Sequence, residues 1–204
     1  MRTPVQSRSE SSAERMVAAA IELAQAGGLR AVTISAVTER SSTSNGALYH
    51  RFGGRVGLLL AAQDQVLTSV ELATAAAFAT AEREPDDDRA VRLLAAAALD
   101  VFTEHRGAMR AFLVEARYVV DAELFTARVV RTNHELAHTV TGWLMNRFAA
   151  CETDAEATWR ILFALASSQA LFDDHQFSAR TMSDTDLADA LARSVTAVAR
   201  RPPE

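Results

Sequence analysis

The stretch HELAH, His134 to His138, sets two imidazoles and a carboxylate at the spacing H-E-x-x-H. On a helix the two histidines stand one turn apart on one face. There they can share a zinc ion while the glutamate serves as general base. A catalytic site needs a third protein ligand as well, and an open position for water. Glu152, Glu156 and His175 lie fourteen, eighteen and thirty-seven residues beyond His138 and are the candidates for that ligand. Two features oppose the zinc reading. Arg131, one turn before His134, puts a cation beside the metal, and no strand-rich lobe is foreseen to hold an extended peptide.

A second stretch, SNGALYHRF from Ser44 to Phe52, suits a different chemistry. Ser44, Asn45, Gly46 and Ala47 are small or amide side chains, which let a backbone come close. A helix beginning there points its free N–H groups at whatever approaches, and phosphate is favoured. Asn45 has the donor and the acceptor that an adenine edge requires. Tyr49, His50, Arg51 and Arg55 add donors for phosphate at the far end. Leu48 and Phe52, four apart, share the opposite face and can pack on a neighbouring helix.

The elements that must hold these residues are helical throughout. Apolar residues make up 49% of the 204-residue chain, aromatics 6%, with eight Gly and four Pro. Long runs of good helix formers result. Residues 1–11 have no apolar period and read as a flexible arm. A first helix is expected over Ser12 to Ala26, with Gly27-Gly28 as its stop. Thr33 caps a short helix over Ile34 to Arg40. Ser41-Ser42-Thr43 forms a turn, and Ser44 caps a third short helix that ends near Phe52. After Gly53-Gly54 a long helix runs from Arg55 to about Ala81. The stretch EREPDDD links it to a helix capped by Asp88. Further helices follow: one through Met109, Phe112 and Ala116, one over about Asp121 to Ala150, one over Asp154 to Asp173, and a last one carrying Leu187, Leu191 and Val195. The expected class is all-α with about nine helices, divided into the arm (1–11), a helix-turn-helix domain (12–54) and a larger helical domain (55–204).

Charge separates the same regions. The net charge is −5, yet residues 1–55 carry seven Arg and four Glu, a net of +3. Every basic residue is arginine, whose planar fork fits phosphate and carboxylate. Cys151 is alone and can form no internal disulfide. No apolar run reaches membrane-spanning length, and MRTPVQSRSESS holds no apolar core of a secretion signal, so a cytoplasmic protein is expected.

The segment TISAVTERSSTSNGALYHRFGGRVGLL resembles the DNA-binding segment of the TetR-type (tetracycline-repressor-like) transcription regulators, through Thr33, Ser44, Gly46, Leu48, Tyr49, Phe52 and Arg55. The family's small Ala in the second helix is Thr38 here, and its turn Gly and Val are Ser42 and Thr43. Ser42 therefore falls where φ > 0 is preferred, at a cost on the order of 1 kcal/mol. The resemblance implies a ligand-responsive regulator, not an enzyme. It implies a homodimeric repressor on a palindromic double-stranded operator, with Thr33, Ser44, Asn45, Gly46, Ala47, Tyr49, His50, Arg51 and Arg55 facing DNA.

The resemblance further implies that the middle helices enclose a small apolar or amphipathic effector. Phe102, Met109, Phe112, Tyr118, Trp143 and Phe163 are candidate walls. His134 and His138 join them from a mixed stripe opposite the Val129, Leu136, Val140 and Leu144 stripe of their helix. No catalytic residue, metal or resident cofactor is expected. The segment Asp154–Asp173 is apolar over too wide an arc for a one-sided surface helix. The resemblance pairs the last two helices with their symmetry mates through Trp159, Leu162, Leu165, Phe172, Leu187, Leu191 and Val195. A zinc hydrolase built on His134 and His138 is the alternative.

Overall fold

The computed structural model describes residues 4–118 and 122–200. It contains ten α-helices and one short 3-10 helix, with no strand among the described residues. The helices are α1 (Pro4–Ala31), α2 (Ile34–Ser41), α3 (Asn45–Phe52), α4 (Arg55–Glu82), α5 (Asp87–Glu104), α6 (Arg106–Leu113), α7 (Ala122–Phe148), α8 (Glu152–Leu171), α9 (Asp174–Phe177) and α10 (Asp184–Ala199), with the 3-10 turn Glu115–Tyr118 after α6. The first helix starts at Pro4, eight residues before the expected Ser12, and residues 1–3 of the expected arm lie outside the described residues. Asp86 rather than Asp88 caps α5, its carboxylate accepting from the Arg89 N–H at 2.8 Å. Three successive aspartates offer the same cap, and only the path of the preceding turn selects among them. The short helix α9 was not anticipated in the sequence.

The chain divides into two compact units, Met1–Ser69 with Gly107–Val129, and Val70–Arg106 with Val130–Glu204. In the first unit α1 packs on α2 and α3 around Met16, Ala20, Ala24, Val37 and Leu48. Gly27 and Gly28 break the helical path of α1, as expected of the pair. Gly28 has φ 67° and ψ −171°, a region essentially reserved for glycine. A Cβ there would stand 2.6 Å from both carboxylate oxygens of Glu115.

The turn after α1 is held from two sides. Glu115 accepts the Leu29 N–H at 2.8 Å. Arg55 donates from Nε to the Val32 carbonyl at 2.7 Å and from Nη2 to the Leu29 carbonyl at 2.5 Å. The start of α6 lies close against the end of α1: a Cβ on Gly107 would meet the Gln25 carbonyl at 2.2 Å, and the Ala108 N–H reaches Gln25 Oε1 at 3.2 Å. Buried Gln63 in α4 donates to the Phe125 carbonyl at 3.2 Å, which satisfies a polar group that would otherwise be costly to bury.

In the second unit α5, α8 and α10 pack together. Leu191, Ala192 and Val195 of α10 are buried, as are Val91, Ala95 and Leu99 of α5. Arg147, at the end of α7, gathers the α4–α5 connection. It donates to Asp87 at 2.8 Å and to the carbonyls of Ala81 and Glu84 at 3.1 and 2.6 Å, and it lies over the Trp143 ring. Arg200 approaches the other Asp87 oxygen at 3.1 Å. The hydrogen bond from Arg147 is the largest influence holding the Asp87 carboxyl below its ordinary 3.8, and Arg200 acts in the same direction.

Candidate nucleic-acid interface

The site is assembled from two capped helices and the turn between them. Thr33 is extended at φ −98° and accepts the Ala36 N–H at 3.2 Å, which starts α2. Ser44 does the same for α3, accepting the Ala47 N–H at 3.2 Å. Between them Ser42 adopts φ 52°, ψ 48°, the left-handed conformation expected of that position. The Thr43 N–H closes the end of α2 on the Thr38 carbonyl at 2.9 Å. Gly53, at φ 71°, ends α3, and its N–H returns to the Tyr49 carbonyl at 2.9 Å.

Polar residues replace part of the packing in this turn. Thr38 and Ser41 are buried, and the Ser41 and Thr43 hydroxyls meet at 2.7 Å. Arg15 of α1 donates to the Ser41 carbonyl at 3.2 Å. The Thr38 hydroxyl lies 3.0 Å from Asn45 Oδ1, across the turn. In the sequence Thr38 stands out only as a bulky residue in a small site. Its link to Asn45 depends on how the turn closes, which no spacing reveals.

One face of α3 is buried and the other open. Leu48 is fully buried and Phe52 half-buried. Ser44, Asn45, Gly46, His50 and Arg51 are exposed, Tyr49 is 54% exposed, and Ala47 is half-buried. Gly46 has nothing closer than Ser44 Oγ, at 3.9 Å from where a Cβ would be. Internal packing therefore does not require glycine there, and the clear space lies outward. Arg55 is half-buried and commits two N–H groups to the Leu29–Val32 turn. It holds the head together as well as standing beside α3. The open face thus presents helix N–H groups, hydroxyls, an amide, a phenol, an imidazole and a guanidinium, the donor set that phosphate oxygens and base edges accept from.

The residues expected around an effector are not brought together as one set. In the second unit Phe102 meets Phe163 edge-on at 6.5 Å, and Trp159 lies 5.3 Å from Phe163. Trp143 belongs to another cluster, with Phe78 and Phe148, and its indole N–H reaches Glu82 at 3.1 Å. Met109 and Phe112 are buried on α6 in the first unit. Tyr118 is 88% exposed, and His134 and His138 are exposed, so these three are not interior walls. The cause is the helix's amphipathic period: α7 buries Phe125, Thr132, Val140, Trp143 and Leu144, and the mixed stripe faces out.

For the histidines, no group of three His, Cys, Asp or Glu able to hold a metal occurs among the described residues, and Glu156 is paired with Arg160 at 2.8 Å. Of the expected dimer residues, Leu191 and Val195 are already buried within the protomer. Leu187, Trp159, Leu162 and Leu165 are half-buried, and Phe172 is exposed.

Residues 16–62 match the family model described as bacterial regulatory proteins, tetR family. Sequence comparison with curated proteins gives no significant match. Among solved structures the chain is similar to a transcriptional regulator from Rhodococcus sp. Rha1, with 19% identity and a TM-score of 0.74 over 94% of this chain and 99% of that one. It is similar to the TetR family transcriptional regulator PfmR from Thermus thermophilus, with 18% identity and a TM-score of 0.60 over 89% and 93%. It is also similar to the transcriptional regulator FadR from Bacillus subtilis in complex with stearoyl-CoA, with 10% identity and a TM-score of 0.68 over 89% and 96%.

Proposed function

Because the chain is a TetR-type transcriptional regulator of the bacterial tetR family, we propose that it is a ligand-responsive repressor that binds a palindromic operator as a homodimer. Residues 12–54 are the DNA-binding head, and 55–204 carry effector binding and dimerisation. The observation that carries this reading is the open face of α3, from Ser44 to Arg51, capped at both ends and turned away from the core. Thr33, Ser44 and Tyr49 serve as phosphate donors with His50 and Arg51. Asn45 serves at a base edge, and Gly46 with Ala47 permits close approach.

Two such faces read successive major grooves when they stand about 34–36 Å apart. The effector acts by binding better to a conformation in which the heads no longer match that spacing. A differential affinity of about 3 kcal/mol loosens DNA roughly a hundredfold. The stearoyl-CoA complex of FadR from Bacillus subtilis supports an amphipathic ligand on this fold. Phe102, Trp159 and Phe163 supply an apolar wall for one in the second unit. The dimer forms through α8 and α10. Ile161, Leu165 and Phe172 make an apolar stripe on α8 that suits a symmetry mate.

A gel shift with the duplex upstream of the chain's own gene tests the reading. A retarded complex that Arg51→Ala weakens supports it. Absence of binding both there and to a randomised duplex pool sinks it.

A further inference from the structure

We propose that Thr38 decides what Asn45 reads, an inference that rests on the DNA-binding reading above. Adenine is recognised in the major groove by an amide using both ends, its oxygen accepting from N6 and its nitrogen donating to N7. Asn45 does not have both ends to give. Its Oδ1 lies 3.0 Å from the Thr38 hydroxyl, which donates to it across the turn between α2 and α3. Thr38 is only 7% exposed, so water does not readily take the place of that partner. The hydroxyl stays anchored in any case, because the Ile34 and Ser35 carbonyls stand 3.0 and 3.2 Å away and hold Oγ1 at this spot.

With its oxygen engaged, Asn45 turns its amide N–H pair to solvent at the first residue of α3. A group that only donates matches a base edge that only accepts. Guanine presents two acceptors, N7 and O6, and thymine one, whereas cytosine presents a donor. The side chain that would clamp adenine is thereby converted into a reader of guanine or thymine. The conversion comes from a residue that itself faces the protein interior. Thr38 is a positioning residue: it acts on the base only through Asn45.

The test is selection from a randomised duplex pool with wild type, Asn45→Ala, Thr38→Val, Thr38→Ser and the double variant Thr38→Val/Asn45→Ala, each checked for an unchanged melting profile. Valine keeps the shape of threonine and removes the hydroxyl, and serine keeps the hydroxyl. The operator position at which Asn45→Ala loses its preference identifies the base concerned. Guanine or thymine is expected there for wild type and Thr38→Ser. Thr38→Val is expected to shift that position, in both half-sites and nowhere else, toward adenine by at least about fivefold. The double variant should resemble Asn45→Ala alone.

Adenine or cytosine at this position in wild type overturns the proposal. So does an unchanged preference in Thr38→Val, a change spread over many positions, or an Asn45→Ala that alters no position. If Thr38→Val does not fold, Thr38→Ala carries the same expectation. If wild type enriches no duplex at all, the DNA-binding reading itself fails, which is a different result from any of these.

Discussion

Two residues of the head show an unfavourable backbone choice whose reasons differ. Ser42 occupies the left-handed region without a glycine's freedom. An L-residue there loses about 1–2 kcal/mol, and glycine returns about 0.5–1 kcal/mol of that through its unfolded-state entropy. Ser42→Gly should therefore raise stability by roughly 0.5–1 kcal/mol in urea denaturation, without altering DNA affinity, since the strain serves only the turn. Gly46 is the opposite case. It sits inside a helix where alanine would fit, as the open space around its missing Cβ shows. Gly46→Ala should gain about 0.5–1 kcal/mol of stability. It should also weaken DNA binding, because the added methyl projects toward the duplex. A stabilised variant with undiminished affinity would remove Gly46 from the interface.

Elements were more legible in the sequence than their partners. Thr33 and Ser44 announced both helices of the head, because a capping hydroxyl acts on an N–H three residues on and the spacing is local. Leu48 as the buried side of α3 followed from periodicity alone. The role of Arg55 in bracing Leu29 and Val32 did not, since those carbonyls lie 26 and 23 residues earlier and only the folded turn presents them. The outward face of His134 and His138 was equally hidden: a mixed stripe suits a cavity or solvent, and neighbouring helices decide. Arg55→Ala should accordingly lower stability by about 1–3 kcal/mol, as expected when carbonyls lose charged donors, in addition to weakening DNA binding on all sequences alike. Loss of affinity at unchanged melting temperature would show the brace to be unimportant. In the second unit the Asp87–Arg147 link predicts a pH dependence. The carboxyl is held below its ordinary 3.8, so its stabilisation is complete above that value and fades as pH falls through the folded value. Asp87→Asn should melt below wild type at neutral pH, with the gap closing in acid below about pH 4. A gap that stays constant would mean the contact is not ionic.

At the scale of the molecule the decisive quantity is charge. The chain is net acidic at −5, and only residues 1–55, at +3, are basic. The body offers DNA no attraction, so affinity has to come from phosphates neutralised by the heads. The donors around α3 suit about four phosphates per head, and two heads give log K against log salt a slope of roughly −7. The dimer should be separable from the heads. Ile161 on the outer stripe of α8 is 45% exposed, and the inner side of that helix is already occupied by buried Ala155, Thr158, Ala166 and Ala170. Ile161→Glu with Leu165→Glu places two charges on the outer stripe and leaves the packed side intact. Sedimentation should then report a monomer, and with one head per binding event the salt slope should fall to roughly −3.5. A variant that stays dimeric would move the interface off this stripe. A wild-type slope shallower than about −2 would remove the phosphate roles from α3 altogether, since two heads cannot then contact more than a couple of phosphates between them.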